Sequence, residues 1–296
     1  FLFYNSLMPH WQNLFTVLRE HNINISEQDA PRPIGGGDIS SAWQVRADNH
    51  QVFLKTGPAD SYDMFLAEAK GLQELDRVGA VRVPKVLGCV SSACESILVL
   101  EWIDLEIAGK DAERKLGRRL AQQHRVCEER FGWHRDNTIG STPQLNRWSD
   151  DWVRFLADQR LGYQLDLAAR NGYRGELQID GRTLLDNLGY FFGSYWPEAS
   201  LLHGDLWGGN WAASNGEPVV FDPAVYYGDR EFDIAMTKLF GGFGEDFYDA
   251  YEGEWQLAAG HSERILLYQL YHVLNHLNLF GAGYLGRAQN IIRRLL

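Results

Sequence analysis

The sequence predicts an α+β chain in two lobes, a small β-rich lobe over residues 8–101 and a larger helical lobe over residues 102–296. Three observations carry this expectation. About five short strand signals cluster around one helix before Leu100. After Leu100 the strand signal fades, with the change near Glu101-Trp102-Ile103, and helical periodicity takes over. A polar, turn-rich stretch from His203 to Asp222 then interrupts the helices. The 296 residues suffice for one large domain or two lobes, and 45% hydrophobic with 23% charged residues is an ordinary globular composition.

The elements follow in order. Trp11, Leu14, Phe15 and Leu18 recur at helical spacing, so residues 9–21 read as an amphipathic helix. Pro31 and Pro33 break the chain. Gly35-Gly36-Gly37 opens a turn between two short strands, the second over Ser41 to Val45. Asp48-Asn49-His50 reads as a turn, residues 51–55 as a strand, and Gly57-Pro58 as its end. Residues 62–78 form a helix with Phe65, Leu66, Ala69, Leu72 and Leu75 on its apolar face. Pro84 to Gly88 and Ile97 to Leu100 are further strands. Residues 110–128, 149–171 and 181–195 read as helices, and from Asp229 onward the chain is helical again, broken at Gly241-Gly242 and at Gly281 to Gly286.

Composition narrows the partners. A net charge of -11 disfavours nucleic acid and anionic membrane surfaces as general partners. No run approaches the roughly 18 apolar residues of a membrane span. Cys89, Cys94 and Cys127 are too few for a disulfide framework or a zinc cage and read as free thiols in a reducing cytoplasm, although Cys89 and Cys94 could face each other across a hairpin. Met8 reads as a native start, and residues 1–7 are set aside as a non-native remnant.

The chemistry concentrates in His203-Gly204-Asp205-Leu206-Trp207-Gly208-Gly209-Asn210 and in Asp222, which follows a short apolar strand signal. Phosphoryl transfer to a hydroxyl needs a carboxylate that accepts the hydroxyl proton, and hard oxygens that hold magnesium on the nucleotide phosphates. Asp205 is the candidate base, and Asn210 and Asp222 are the candidate magnesium ligands. Taken singly, each has a plain alternative: a cap, a turn residue after two glycines, and a strand end before Pro223. Their common register favours the chemical reading. The His-x-Asp-Leu-x-x-x-Asn spacing is the catalytic-loop pattern of protein kinases, with Gly204 where those carry arginine. His203 itself reads as a buried histidine that fixes the loop backbone.

Lys55 ends an apolar strand and Glu68 lies in the following helix, the pair that in kinases holds and orients the α/β-phosphates; Glu74 is the rival carboxylate. Gly35, Gly36 and Gly37 would let backbone amides approach phosphate, although the Gly-x-Gly-x-x-Gly form is absent. Trp207 either stacks on a sugar or aliphatic substrate arm or packs within the helical lobe. His272 and His276, one helical turn apart, lack the intervening glutamate of a zinc hydrolase and read as core or pocket wall.

With these residues in view, the chain resembles the fructosamine kinase (ketosamine-3-kinase) family, within the protein-kinase-like and aminoglycoside-phosphotransferase-like group. The resemblance rests on Gly35 to Ser40, Phe53-Leu54-Lys55, Phe65 to Leu72, Val83 to Val86, His203 to Asn210, Phe221 to Ala224, Tyr227 to Asp233, Leu239 to Phe243, Tyr268 to His272 and Asn275 to Asn278. It covers nearly the whole chain from about residue 9, and Trp207 in the loop separates this pattern from aminoglycoside and choline kinases.

The resemblance implies a two-lobed protein-kinase-like fold, ATP and Mg2+ as cofactors, and phosphorylation of a ketosamine, free or protein-linked, at its 3-hydroxyl. The unstable 3-phosphate then frees the amine, which ties the family to protein deglycation. Adenine would sit near the backbone of Leu100 to Trp102, which makes Glu101 a nucleotide-site residue. Some relatives carry a glycine-loop cysteine associated with redox-controlled dimerisation; Asp38 stands there in this chain, and a monomer or weak homodimer is expected. Two other readings stand beside this one: a phosphotransferase for an aminoglycoside or choline-like substrate, and a nucleotide-binding scaffold without catalysis.

Overall fold

The computed structural model describes residues 11–21, 23–25, 30–35, 40–48 and 50–296. Gly36, Gly37 and Asp38 therefore lie outside the described residues. The chain forms two compact units, one running to Arg77 and resuming over Val83–Leu105, the other made of Val78–Arg82 and Glu106–Leu296.

The first unit is a five-stranded antiparallel sheet flanked by helices. Helix α1 (Trp11–Glu20) precedes β1 (Arg32–Ile34), β2 (Ser41–Ala47), β3 (His50–Pro58), helix α2 (Tyr62–Val78), β4 (Val86–Ser91) and β5 (Glu95–Glu101), in sheet order β1-β2-β3-β5-β4. Strand alternation divides its side chains between two faces. Trp43, Val45, Val52, Leu54, Ile97 and Val99 pack with Leu14, Phe15 and Leu18 of α1 in one apolar cluster. Lys55, one residue out of phase with Leu54, therefore lies on the opposite face, in register with Leu98. Strand β3 outruns its sequence signal, because Gly57 and Pro58 pair with Ser96 and Glu95 instead of ending it. Cys89 pairs in register with Leu98, not with Cys94, and all three cysteines are free thiols.

The second unit is richer in strand than its sequence implies. After α3 (Lys110–His124) come β6 (Cys127–Glu128), β7 (Asn137–Ile139) and β8 (Thr142–Gln144). Next are α4 (Trp152–Leu156), a π-helical turn (Ala157–Leu161), α5 (Gly162–Arg170) and α6 (Glu176–Asp186). Then come β9 (Ala199–Leu202), β10 (Trp211–Ser214), β11 (Glu217–Val220) and β12 (Tyr226–Gly228), and finally α7 (Glu231–Leu239), α8 (Glu245–Glu254), α9 (His261–Phe280) and α10 (Leu285–Leu295). The helix expected over 110–128 thus ends at His124, and Cys127 enters a small sheet of order β12-β9-β6. The helix expected over 149–171 is interrupted by the π turn, and that expected over 181–195 begins earlier, at Glu176, and gives way to 3-10 turns over Leu188–Phe192. These strands run two to four residues, too short for alternation to register against the surrounding helical periodicity. No helix among the described residues is long and apolar enough to cross a membrane.

Helix α7 is the keystone of this unit, and a buried ion pair pins it to α9. The guanidinium of Arg264 reaches both carboxylate oxygens of Glu231 at 2.8 and 2.9 Å, and both residues are essentially inaccessible. Arg264 also lies 3.8 Å over the Tyr195 ring. Removing one member of such a pair leaves the other charge buried without compensation, which costs about 3–5 kcal/mol. Arg264→Leu is therefore expected to lower the free energy of unfolding by about that amount in urea titration. A loss below about 1 kcal/mol, the range of an exposed pair, would show that the pair does not pin α7.

Candidate active site

The catalytic-loop candidates lie between the end of β9 and β10, with Asp222 just beyond β11. Helix α7 supplies what holds the loop. Both carboxylate oxygens of Asp233 face backward onto it: Oδ2 accepts from the His203 backbone N–H at 2.7 Å, and Oδ1 from that of Gly204 at 2.8 Å. His124 Nε2 adds a third donor at 3.1 Å, while its Nδ1 accepts from the Tyr251 hydroxyl at 2.8 Å. Burial opposes a charge on Asp233, yet the hydrogen bond from His124 and the backbone N–H of His203 hold its carboxyl below the usual carboxylate range. Burial keeps His124 neutral.

His203 takes the structural part expected of it. Its Nε2–H donates to Phe221 O at 3.0 Å, and its Nδ1 accepts the Asp205 backbone N–H at 3.3 Å. One ring nitrogen must donate and the other accept, so the ring is neutral, and burial pushes its pKa down in the same direction. The histidine thus ties the loop to the segment that carries Asp222. Ala224 N closes the tie by donating to His203 O at 2.8 Å.

The same closeness explains Gly204. Its φ is +83°, and a Cβ there would stand 2.1 Å from Ala224 O, so the arginine of the protein-kinase pattern has no room at this position. Further along, Gly208 packs on Gly241 and Gly242, and a Cβ on Gly209 would enter the Trp207 ring at 2.3 Å. Trp207 is 40% exposed and its ring packs close to the Gly209 backbone. Trp211 is held by stacking on Phe243, 5.6 Å between centroids.

Asp205 and Asn210 meet directly. Asn210 Nδ2 donates to Asp205 Oδ2 at 3.2 Å and to Asp205 O at 2.9 Å, which leaves the amide oxygen as its remaining polar atom. Asp205 is pushed up to about 7, first by burial and then by the like charge of Asp222, against the lowering effect of the Asn210 bond. Asp222 has φ 57°, a backbone region uncommon outside glycine. The carboxylates of Asp205 and Asp222 and the amide oxygen of Asn210 are hard donors, a type that suits a divalent cation. Among the described residues no group of three or more His, Cys, Asp or Glu could hold a metal by itself.

In the first unit, Lys55 Nζ and Glu68 Oε1 meet at 2.7 Å, with side chains 10% and 14% exposed. The rival Glu74 pairs instead with Arg77. Glu101 closes β5, its backbone N–H on Lys85 O at 2.8 Å and its Oε2 accepting from Lys85 N at 3.2 Å. Gly35 follows β1 in a bend, with nothing within 4 Å of where a Cβ would stand. His272 and His276 do not form a metal pair: His272 is buried in an aromatic cluster and pushed down to about 3 by that burial, and His276 Nδ1 bonds His272 O at 2.8 Å.

The fructosamine kinase family profile matches residues 10–296. The chain belongs to the fructosamine kinase family. It is 42% identical over 294 residues to a Synechocystis protein assigned as a ketoamine kinase, covering 99% of this chain and 98% of that one. It is also 42% identical over 264 residues to a chloroplastic protein-ribulosamine 3-kinase of Arabidopsis thaliana, covering 88% and 80%. A solved structure from Haemophilus somnus, assigned as a fructosamine-3-kinase, superposes with a TM-score of 0.88 at 28% identity over 97% of both chains. The α+β, kinase-like fold expected of this family member is the one found.

Sequence reasoning placed the loop, the lysine and the glutamate but missed Asp233, Asp229 and Glu231. Asp229 is fully buried, accepts from the Tyr195 and Tyr268 hydroxyls at 2.9 and 2.5 Å, and caps the Glu231 N–H at 2.9 Å. The available signal was Asp229-Arg230-Glu231-Phe232-Asp233, three acidic residues and an arginine between two apolar stretches, a pattern that asks for buried partners.

Removing the Asp233 side chain orphans two backbone N–H groups, each costing about 1–3 kcal/mol when buried. Asp233→Ala is therefore expected to destabilise the protein by about 3 kcal/mol or more in urea titration. A cost below about 1 kcal/mol would show that the loop holds its shape without this carboxylate.

Proposed function

We propose that this member of the fructosamine kinase family is an ATP- and Mg2+-dependent kinase that phosphorylates a ketosamine hydroxyl, with the 3-hydroxyl of fructosamine- or ribulosamine-type adducts as acceptor. The observation that carries this reading is the Asp205–Asn210 contact beside Asp222, held on a backbone that Asp233 and His203 lock in place. The relatives' assignments as ketoamine and ribulosamine kinases support the substrate class.

In this reading the first unit binds nucleotide. Lys55, held at 2.7 Å by Glu68, pairs with the α/β-phosphates; Gly35, Gly36 and Gly37 are assigned to the same phosphates on their residue type, and the backbone at Glu101 meets the adenine. Asn210 and Asp222 hold magnesium, which supplies charge neutralisation on the phosphate oxygens. Asp205 accepts the proton of the attacking sugar hydroxyl. Its Oδ2 is engaged by Asn210, so the carboxylate presents its other oxygen to that hydroxyl. As the hydroxyl oxygen bonds to the γ-phosphorus, the bond to the β,γ-bridging oxygen breaks and ADP leaves. Trp207, exposed and backed by glycine, offers an aromatic face to the acceptor. The acidic balance of the chain, -11, suits an amine-bearing substrate.

Two measurements test this. Asp205→Ala is expected to lower turnover by roughly 10²–10⁴, the range for loss of a general base, while the affinity for a fluorescent ADP analogue changes little. Turnover within about tenfold of wild type would remove Asp205 from the role. Magnesium-dependent ADP release, assayed with fructoselysine, ribuloselysine, an aminoglycoside and choline, is expected only with the two ketosamines. Activity confined to the aminoglycoside or choline would overturn the substrate assignment and leave the phosphotransfer machinery standing.

A further inference from the structure

Behind the segment that carries Asp222 lies a connected set of buried polar side chains that the chemistry above does not use. Hairpin β7–β8 places Asn137 directly opposite Gln144. Each side-chain amide reaches a carbonyl just past Asp222: Gln144 Nε2 donates to Ala224 O at 3.1 Å, and Asn137 Nδ2 to Val225 O at 2.8 Å.

The two amides are themselves oriented. Gln144 Nε2 also donates to Asn137 Oδ1 at 2.9 Å, and its Oε1 accepts the Tyr271 hydroxyl at 2.7 Å. Asn137 Oδ1 takes a second hydrogen bond from Asn146 Nδ2 at 2.8 Å, and Asn146 Oδ1 takes one from Arg160 Nη2 at 2.7 Å. Asn137, Gln144, Asn146, Arg160 and Tyr271 are 8, 1, 1, 0 and 1% exposed. Every acceptor in this set has its donor, so no amide can flip without orphaning a buried partner.

An apolar set of the same volume would be easier to bury. What the polar set supplies is position, and the neighbouring backbone needs it. Asp222 stands at φ 57°, outside the region ordinary residues prefer, and Pro223 has no N–H to anchor it. The catalytic loop ties the segment from one side, through His203 to Phe221 O and Ala224 N. The β7–β8 amides tie it from the other, through the carbonyls of Ala224 and Val225.

We propose that Asn137 and Gln144 are positioning residues for Asp222, with Tyr271, Asn146 and Arg160 holding their amides in the donating orientation. The proposal rests on Asp222 being a metal ligand, as set out above. Loss of either amide frees one of the two carbonyls and lets the Asp222 carboxylate leave its station beside Asn210, which weakens the divalent-cation site without touching it.

The test is calorimetric titration of Mn2+ into the full chain at saturating ADP. Gln144→Leu is expected to weaken Mn2+ binding about tenfold, the lower end of the effect of removing a residue that orients a metal ligand. Tyr271→Phe, which preserves volume and removes only the hydroxyl on Gln144, is expected to weaken it in the same direction but less than Gln144→Leu does, and it serves if Gln144→Leu does not fold. The control is Gln178→Leu, which removes an amide that donates to Leu165 O on α5 and to Tyr173 O in the α5–α6 loop at 3.0 Å each, a segment that does not carry the site. It is expected to lower the melting temperature and leave Mn2+ affinity unchanged.

Wild-type affinity in both Gln144→Leu and Tyr271→Phe would overturn the proposal, as would equal weakening in Gln178→Leu. A wild-type protein that binds no Mn2+ with ADP would overturn it as well. Wild-type protein that binds Mn2+ and ADP but turns over no ketosamine would overturn the substrate reading alone, and the comparison of metal affinities would still decide this proposal.

Discussion

The geometry of the site depends on one carboxylate that takes no part in the chemistry. Asp233 sits in the first turn of α7 and spends both oxygens on the backbone N–H groups of His203 and Gly204. A loop rich in glycine has many conformations available and little side-chain packing to choose among them. Three charge-assisted hydrogen bonds in a buried setting are strong enough to make the choice. From that anchor the rest follows: His203 faces Phe221, Ala224 N closes on His203 O, and Asp222 is brought to the side of Asp205.

The anchor is supported from behind in layers. Arg230 donates to the Tyr251 hydroxyl at 3.0 Å, Tyr251 donates to His124, and His124 donates to Asp233. Arg264 and Glu231 hold the same helix to α9. Burying so many polar groups costs stability wherever a partner is missing, and here the partners are supplied in chains. This is the pattern of a core specified for rigidity at one place. The site is correspondingly charged: burial and the proximity of Asp222 raise Asp205, a mismatch that a divalent cation at Asn210 and Asp222 would relieve.

Much of this was legible in the residue order, and what was not has physical causes. Asp205, Asn210 and Asp222 form a spacing with a chemical meaning, so they could be read together. Lys55 could be read because it ends an apolar strand signal, and Glu68 because it lies on the helix that follows; their ion pair at 2.7 Å joins two positions 13 apart. Asp233 was not legible. An acid in the first turn of a helix, here with Glu231 beside it, looks like an ordinary solvated residue until its donors are known, and those donors are backbone groups 29 and 30 residues upstream. The strands of the second unit escaped notice because two to four residues give alternation nothing to build on. Asn137 and Gln144 escaped for a related reason: an amide in a turn region is ordinary, and only the hairpin register shows that they face each other.

The most direct test of the account is a crystal structure of the complex with ADP and Mg2+, and with a ketosamine bound. Asn210 Oδ1 and a carboxylate oxygen of Asp222 are expected within the roughly 2.0–2.1 Å of magnesium coordination, with the other oxygen of Asp205 within hydrogen-bond distance, about 2.6–3.2 Å, of the acceptor hydroxyl. A cation held without Asn210 and Asp222, or an acceptor hydroxyl bound away from Asp205, would contradict it.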